Sequence, residues 1–106
     1  MGSLGPASDR LISGIAHVNL IVPADGLPAA HAFYGTVLGL TSVPVPKSMQ
    51  GRLAWFDITP GGQQIHIAVG PAEVESSRHP CFKIDDAETL LNLQKRIYVS
   101  VPHFLG

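Results

Sequence analysis

The sequence predicts an α+β fold in which a strand, a helix and three further strands form one module, followed by a second strand–helix unit. Three observations predict it. Several short segments alternate apolar and polar residues, as strands do. One segment with apolar residues at helical spacing follows the first of them. The strand-then-helix order starts again at His79. With 106 residues the chain has room for one small domain.

The first strand is predicted at residues 15–22, where the residues alternate between two faces. His17 and Asn19 share one face with two isoleucines, and the other face is apolar throughout. A strand of this kind packs its apolar face on a helix and turns the other toward a more polar environment. Pro23 ends the strand.

A helix is predicted over residues 29–38. Pro28 suits its first turn, where the missing N–H costs no hydrogen bond. Gly39 suits the left-handed position that commonly ends a helix. Apolar residues at helical spacing form a single stripe along it: Ala30, Phe33, Val37 and Leu38.

Three strands are predicted after this helix. Residues 40–45 contain Pro44 and are expected at a sheet edge, because proline cannot donate a hydrogen bond to a neighbouring strand. Residues 52–59 and 63–69 are expected to form a hairpin around the Pro-Gly-Gly turn at 60–62.

A second histidine occupies the more polar face of a predicted strand. His66 alternates with isoleucines and shares its face with Gln64, much as His17 does in the first strand. In the preceding strand Trp55 and Phe56 point to opposite faces. One of these two rings is therefore expected in the core, and the other could line a pocket.

The second unit opens with a predicted strand at residues 79–84. Asp85 or Asp86 is expected to cap a helix over 87–97, and residues 98–106 are expected to be a frayed end. The chain is accordingly divided into a flexible leader (1–13), a first βαβββ module (14–70), a linker (71–78) and a partial second module with a tail (79–106).

Composition excludes several classes of function. Seven basic and eight acidic residues, with no basic run, give no electrostatic support for binding nucleic acid. No apolar segment is long enough to span a membrane, and the leader lacks the apolar core of a signal peptide. A cytoplasmic protein is therefore expected. The single cysteine, Cys81, cannot form an internal disulfide and is expected to be buried and inert.

Four segments resemble the vicinal oxygen chelate superfamily, the group of the glyoxalases, bleomycin-resistance proteins and extradiol dioxygenases. They are IAHVNLIVP, FYGTVLGL, GGQQIHIAV and RHPCFKIDDAETLL, which lie between residues 15 and 91, and the resemblance covers roughly residues 15–97. FYGTVLGL is the most specific of them. In that family two βαβββ modules pair their sheets around a divalent metal ion, which is held by the first and last strands of each module.

The resemblance implies that His17 and His66 are metal ligands from the first module, and that His79 is a ligand from the second. The carboxylate that usually supplies the fourth ligand has no counterpart, so the second module looks truncated. Glu73 or Glu75, in the linker, could substitute for that carboxylate. Two chains could also pair and complete each other as a homodimer.

The resemblance further implies a zinc, iron, manganese or nickel ion that acts as a Lewis acid on a small molecule with adjacent oxygens. Asn19, Gln64 and Trp55 are candidates for binding that substrate. A lone histidine on a strand usually faces solvent. We also expect His31, on the first helix, and His103, near the end of the chain, to be solvated. Two histidines on matching faces favour a site.

Three functions remain open at this point. The first is a metal-dependent lyase or dioxygenase. The second is a metal-free protein that binds a small ligand, as bleomycin-resistance proteins do. The third is a non-catalytic, truncated form. The first depends on one geometric expectation, that the rings of His17 and His66 project from adjoining strands on the same side of the sheet.

Overall fold

The structure of the chain, a computed structural model, describes residues 11–71, 77 and 79–105, with side chains described as far as residue 100. It confirms the α+β class and the order of elements in the first module. In chain order these are β1 (His17–Val22), α1 (Leu27–Ala30), a π-helix (His31–Val37), β2 (Thr41–Val43), a 3₁₀ turn (Lys47–Met49), β3 (Leu53–Asp57), β4 (Gln64–Val69) and α2 (Ala87–Leu105).

The four strands form one sheet in the order β1-β4-β3-β2. Strand β3 is antiparallel to both of its neighbours, whereas β1 and β4 run parallel. The first and last strands of the module therefore lie side by side. Their register pairs His17 with Gln64 and Asn19 with His66, which brings the two predicted polar faces together.

One face of the sheet, the covered face, packs against the first helix. Phe56, Ile65 and Ile67 are fully buried there, and Leu27 and Ala30 of α1 complete the core. Burial of each large apolar side chain contributes about 1.5–3 kcal/mol. The covered face carries Val18, Leu20, Val22, Ala54, Phe56, Ile65, Ile67 and Val69, which confirms the alternation predicted for β1 and β4.

The first helix begins at Leu27, two residues before the predicted start at residue 29, and has Pro28 in its first turn as predicted. After Ala30 it widens into the π-helix, in which hydrogen bonds span five residues. The amide of Leu38 closes it by donating to the oxygen of Phe33 (2.9 Å). Gly39 follows with φ of 75°, the left-handed conformation that its position predicted.

The β3–β4 hairpin also forms as predicted. Its turn is closed by hydrogen bonds from the amide of Gly62 to the oxygen of Thr59 (3.0 Å) and from Ile58 to Gln63 (2.8 Å). Gly61 adopts a positive φ of 66° there, a conformation that favours glycine.

The predicted strand at residues 79–84 is absent. Pro80 has no N–H with which to join a sheet, and the segment instead lies over the core through Phe82. Pro80, Phe82 and Ile84 are half-buried while the residues between them are exposed, so the predicted alternation is present without strand pairing. Cys81 is one of the exposed residues. The expectation of a buried cysteine was wrong because Phe82, beside it, takes the inward position.

Helix α2 begins as predicted, with the carboxylate of Asp86 accepting a hydrogen bond from the amide of Thr89 (2.7 Å). The expectation of a frayed end from residue 98 was wrong, because α2 continues to Leu105. Pro102 removes only one hydrogen bond near the end of the helix. Arg96 ties α2 to the first module by donating to the backbone oxygen of Thr36 (2.6 Å). No helix in the described ranges is long and apolar enough to cross a membrane.

Candidate functional site

The face of the sheet opposite the helix carries most of the residues singled out from the sequence. We call it the open face, and it consists of His17, Asn19, Ile21, Leu53, Trp55, Asp57, Gln64, His66 and Ala68. His17 and Asn19 are exposed, and Trp55, Gln64 and His66 are half-buried. Five of the six predicted site residues therefore meet on one surface.

Three rings stack in a row across neighbouring strands of the open face. The rings of His17 and His66 lie 3.9 Å apart between centroids, with 9° between their planes. Trp55 lies against the other side of His66, at 4.8 Å and 20°. The strand spacing of about 4.8 Å makes such stacking natural. The expected placement of His17 and His66, on adjoining strands and the same side of the sheet, is present.

A chain of hydrogen bonds runs beside this ring stack. The side-chain amide of Gln64 donates from Nε2 to Oδ1 of Asp57 (2.8 Å), and its Oε1 lies 2.7 Å from Nε2 of His66. Asp57 was not among the predicted site residues. The hairpin register could have revealed it, because Asp57 lies directly opposite Gln64 on the same face.

The environment of His66 favours the neutral form of its imidazole over the protonated form. Burial lowers the pKa of His66 below its usual value of 6.5, and the charge that His17 acquires on protonation lowers it further. The neutral ring is the form that binds metal ions. The ring stack therefore presents at least one imidazole that is available as a ligand at neutral pH.

The open face supplies two imidazoles that could be metal ligands, which is fewer than a complete metal site needs. The lone pair of an imidazole nitrogen lies in the plane of the ring, so two nearly parallel stacked rings do not aim at one point. His17 and His66 could hold one ion together only after a rotation of their side chains. Among residues 11–71, 77 and 79–105, no group of three or more His, Cys, Asp or Glu is placed to hold a metal ion. Further ligands would have to come from outside this group.

His79, the third predicted ligand, lies apart from the other two. It is exposed, and its Nδ1 donates to the backbone oxygen of Ser77 (2.8 Å). It lines a cavity of about 530 Å³ together with Val18 and Ile65 of the covered face. Its role as a ligand stays a prediction. Glu73 and Glu75 lie outside the described residues.

The remaining histidines were expected to be solvated. His31 is exposed, as expected, and its ring also meets the edge of Phe56 at 5.3 Å. The side chain of His103 lies outside the described part of the chain.

Comparison with known proteins connects the fold to one family. No protein-family model and no curated protein sequence matches the chain. Solved structures do match it. A glyoxalase family protein from Bacillus anthracis is 28% identical with a TM-score of 0.67, over 86% of this chain and 72% of that one.

Two further structures agree. The lactoylglutathione lyase of Agrobacterium tumefaciens is 26% identical with a TM-score of 0.62, over 83% of this chain and 70% of its own. A glyoxalase/dioxygenase from Nostoc punctiforme is 24% identical with a TM-score of 0.58, and the match covers 94% of this chain and 76% of that one. The chain has the vicinal oxygen chelate fold. Its structural neighbours within that fold include a glyoxalase family protein and a lactoylglutathione lyase.

Proposed function

We propose that the chain is a glyoxalase/dioxygenase-like protein that binds a divalent metal ion and acts on a small oxygenated metabolite. His17 and His66 are two of the metal ligands, and the ion is zinc, iron, manganese or nickel. The observation that supports this most directly is that the first and last strands of the module pair side by side and each carries a histidine on the open face. The likeness to a lactoylglutathione lyase supports the reaction class.

The bound metal would supply Lewis-acid chemistry at the adjacent oxygens of the substrate. The other open-face residues would bind and orient that substrate. Trp55 offers a flat apolar surface beside His66. The exposed side-chain amide of Asn19, next to His17 on β1, can both donate and accept hydrogen bonds. The site is therefore suited to a small molecule that carries both an apolar part and oxygen atoms.

We further propose that a second copy of the chain covers the open face and supplies the remaining ligands. Ile21, near the end of β1, is 40% exposed on this face, and Trp55 is only half-buried. A two-fold axis would place the same surface on both sides of the interface. Water would then be excluded from the ring stack, which strengthens electrostatic interactions within it.

Metal binding tests the proposal directly. Purified protein would be loaded with zinc or nickel, dialysed, and analysed for metal content and affinity. We expect the native chain to retain metal at a fixed ratio, and His17→Gln or His66→Gln to lower the affinity on the order of tenfold or more. His31→Gln is the matched control, because His31 is exposed on the first helix. Equal metal binding by the native chain and both site variants would contradict the proposal.

A metal-free ligand-binding protein is the second candidate. The observations that favour it are the stacked arrangement of His17 and His66 and the lack of a third ligand within the described ranges. In that case the ring stack itself would be the binding surface. Binding of small planar ligands that is unchanged by a chelator, and lost in Trp55→Ala, would support this candidate over the first.

A further inference from the structure

The hydrogen bonds from Asp57 to His66 have a consequence for which ring nitrogen can bind a ligand. We propose that Asp57 is a positioning residue: through Gln64 it fixes His66, in the metal-free chain, as the tautomer that carries its proton on Nε2, so that Nδ1 carries the lone pair and is the nitrogen left to accept a hydrogen bond from a ligand. The identity of the ligand that Nδ1 would contact rests on the proposed function. The tautomer itself is a property of the metal-free chain.

The carboxylate of Asp57 determines which end of the Gln64 amide faces it. An ionised carboxylate can only accept hydrogen bonds, so the group that faces Asp57 at 2.8 Å must be the NH₂ of Gln64. Turning the amide over would place two oxygens against each other. The orientation of Gln64 is therefore decided by a negative charge, and a hydrogen bond to a charged group is stronger than a neutral one.

The orientation of Gln64 then decides the state of His66. With its NH₂ held by Asp57, Gln64 presents Oε1 to Nε2 of His66 at 2.7 Å. That oxygen is an acceptor, so Nε2 must carry a proton and donate it. A neutral imidazole has one N–H and one lone pair, so the lone pair lies on Nδ1. Without the carboxylate, Gln64 could present either end to His66.

The sheet holds these residues in place. Asp57 and Gln64 are directly paired across β3 and β4, and His66 is two residues further along β4 on the same face. Trp55 and His17 pack on the two sides of the His66 ring and restrict its rotation. The ring can therefore be held in one orientation and in one tautomer, which is the usual role of hydrogen-bond partners behind a ligand histidine.

Nitrogen NMR of the imidazole rings tests this proposal on the metal-free full chain, because the shifts of Nδ1 and Nε2 report which nitrogen carries the proton. Spectra would be recorded at about pH 8, above the usual histidine pKa. In the native chain we expect His66 in the Nε2–H form alone. In Asp57→Leu the Nδ1–H form should rise on the order of tenfold, because the bond to the carboxylate no longer orients Gln64.

A double variant tests whether Asp57 acts by orienting Gln64 or only by supporting the local structure. Asp57→Leu combined with Gln64→Glu keeps the net charge of the native chain and places an obligatory acceptor beside His66. We expect it to restore the Nε2–H form. Asp25→Asn removes an exposed carboxylate in the turn after β1 and should leave the spectrum as in the native chain.

Two results would overturn the proposal: a native His66 protonated on Nδ1, or a tautomer that is unchanged in Asp57→Leu. The measurement needs no metal, so it is independent of whether the proposed function is correct. Zinc titration of the same samples addresses the proposed function separately. If the native chain shows the Nε2–H form of His66 but does not bind zinc, the result counts against the metal site and not against the role of Asp57.

Discussion

The covered face and the open face alternate residue by residue along the same strands, and they differ in what their side chains contact. Phe56 is fully buried against the first helix, whereas its neighbour Trp55 is half-buried and stacks on His66. The covered face contacts α1 and the segment around Phe82. The open face is held together by ring stacking and hydrogen bonds among its own members. The buried core and the candidate site therefore lie on opposite sides of one sheet.

The largest expected effect contrasts these two neighbours. Phe56→Ala should lower the free energy of unfolding by about 3–5 kcal/mol, because it leaves a cavity in the core. Trp55→Ala, the matched variant on the open face, should cost clearly less, since part of that ring is already in water. Urea unfolding monitored by circular dichroism measures both. Equal losses would show that the open face is as important for stability as the core.

The next effect concerns self-association through the open face. Ile21→Glu should place a charge in the proposed interface and convert a dimer to a monomer, with little change in stability, because Ile21 is 40% exposed. Leu91→Glu is the control, since Leu91 is 52% exposed on α2. Light scattering gives the mass of each variant. A native chain that is monomeric at all concentrations and metal loadings would contradict the proposed pairing.

The smallest effect is a pH dependence of stability that arises on the open face. Because the pKa of His66 is lowered in the folded chain, the unfolded chain binds more protons below the usual pKa of about 6.5. The contribution of His66 is therefore complete above that pH and is lost as the pH falls through it. We expect the decrease in Tm between about pH 7.5 and pH 5.5 to be smaller in His66→Gln than in the native chain.

The matched control for this pH series is His31→Gln, which should show the same decrease in Tm as the native chain. A native decrease that His66→Gln does not reduce would show that other groups cause it.

Much of the fold was predictable because local sequence and tertiary structure agree in the first module. Alternation along β1 and β4, the Pro-Gly-Gly turn and Gly39 each specify one local geometry. The predictions failed where the outcome depends on distant contacts. Alternation at residues 79–84 does not reveal whether a partner strand exists. The extension of α2 beyond residue 98 could not be seen either, although Arg96, which bonds to Thr36, lies in the same helix.

For the candidate site, the sequence could predict which face of the sheet each residue lies on. Alternation predicts that His17 and His66 share a polar face, and the structure places both on the open face. Register and side-chain rotation were not predictable. The part played by Asp57 depends on its pairing with Gln64 across the hairpin, and the stacking of the imidazoles depends on how each ring is turned.

Zinc titration of the native chain, followed through the ring resonances of its histidines, tests the central claim most directly. If the open face is a metal site, the signals of His17 and His66 should change together and reach completion at the same metal ratio, while the signals of His31 stay in place. A change in only one of the two rings, or in neither, would contradict the account of a shared site.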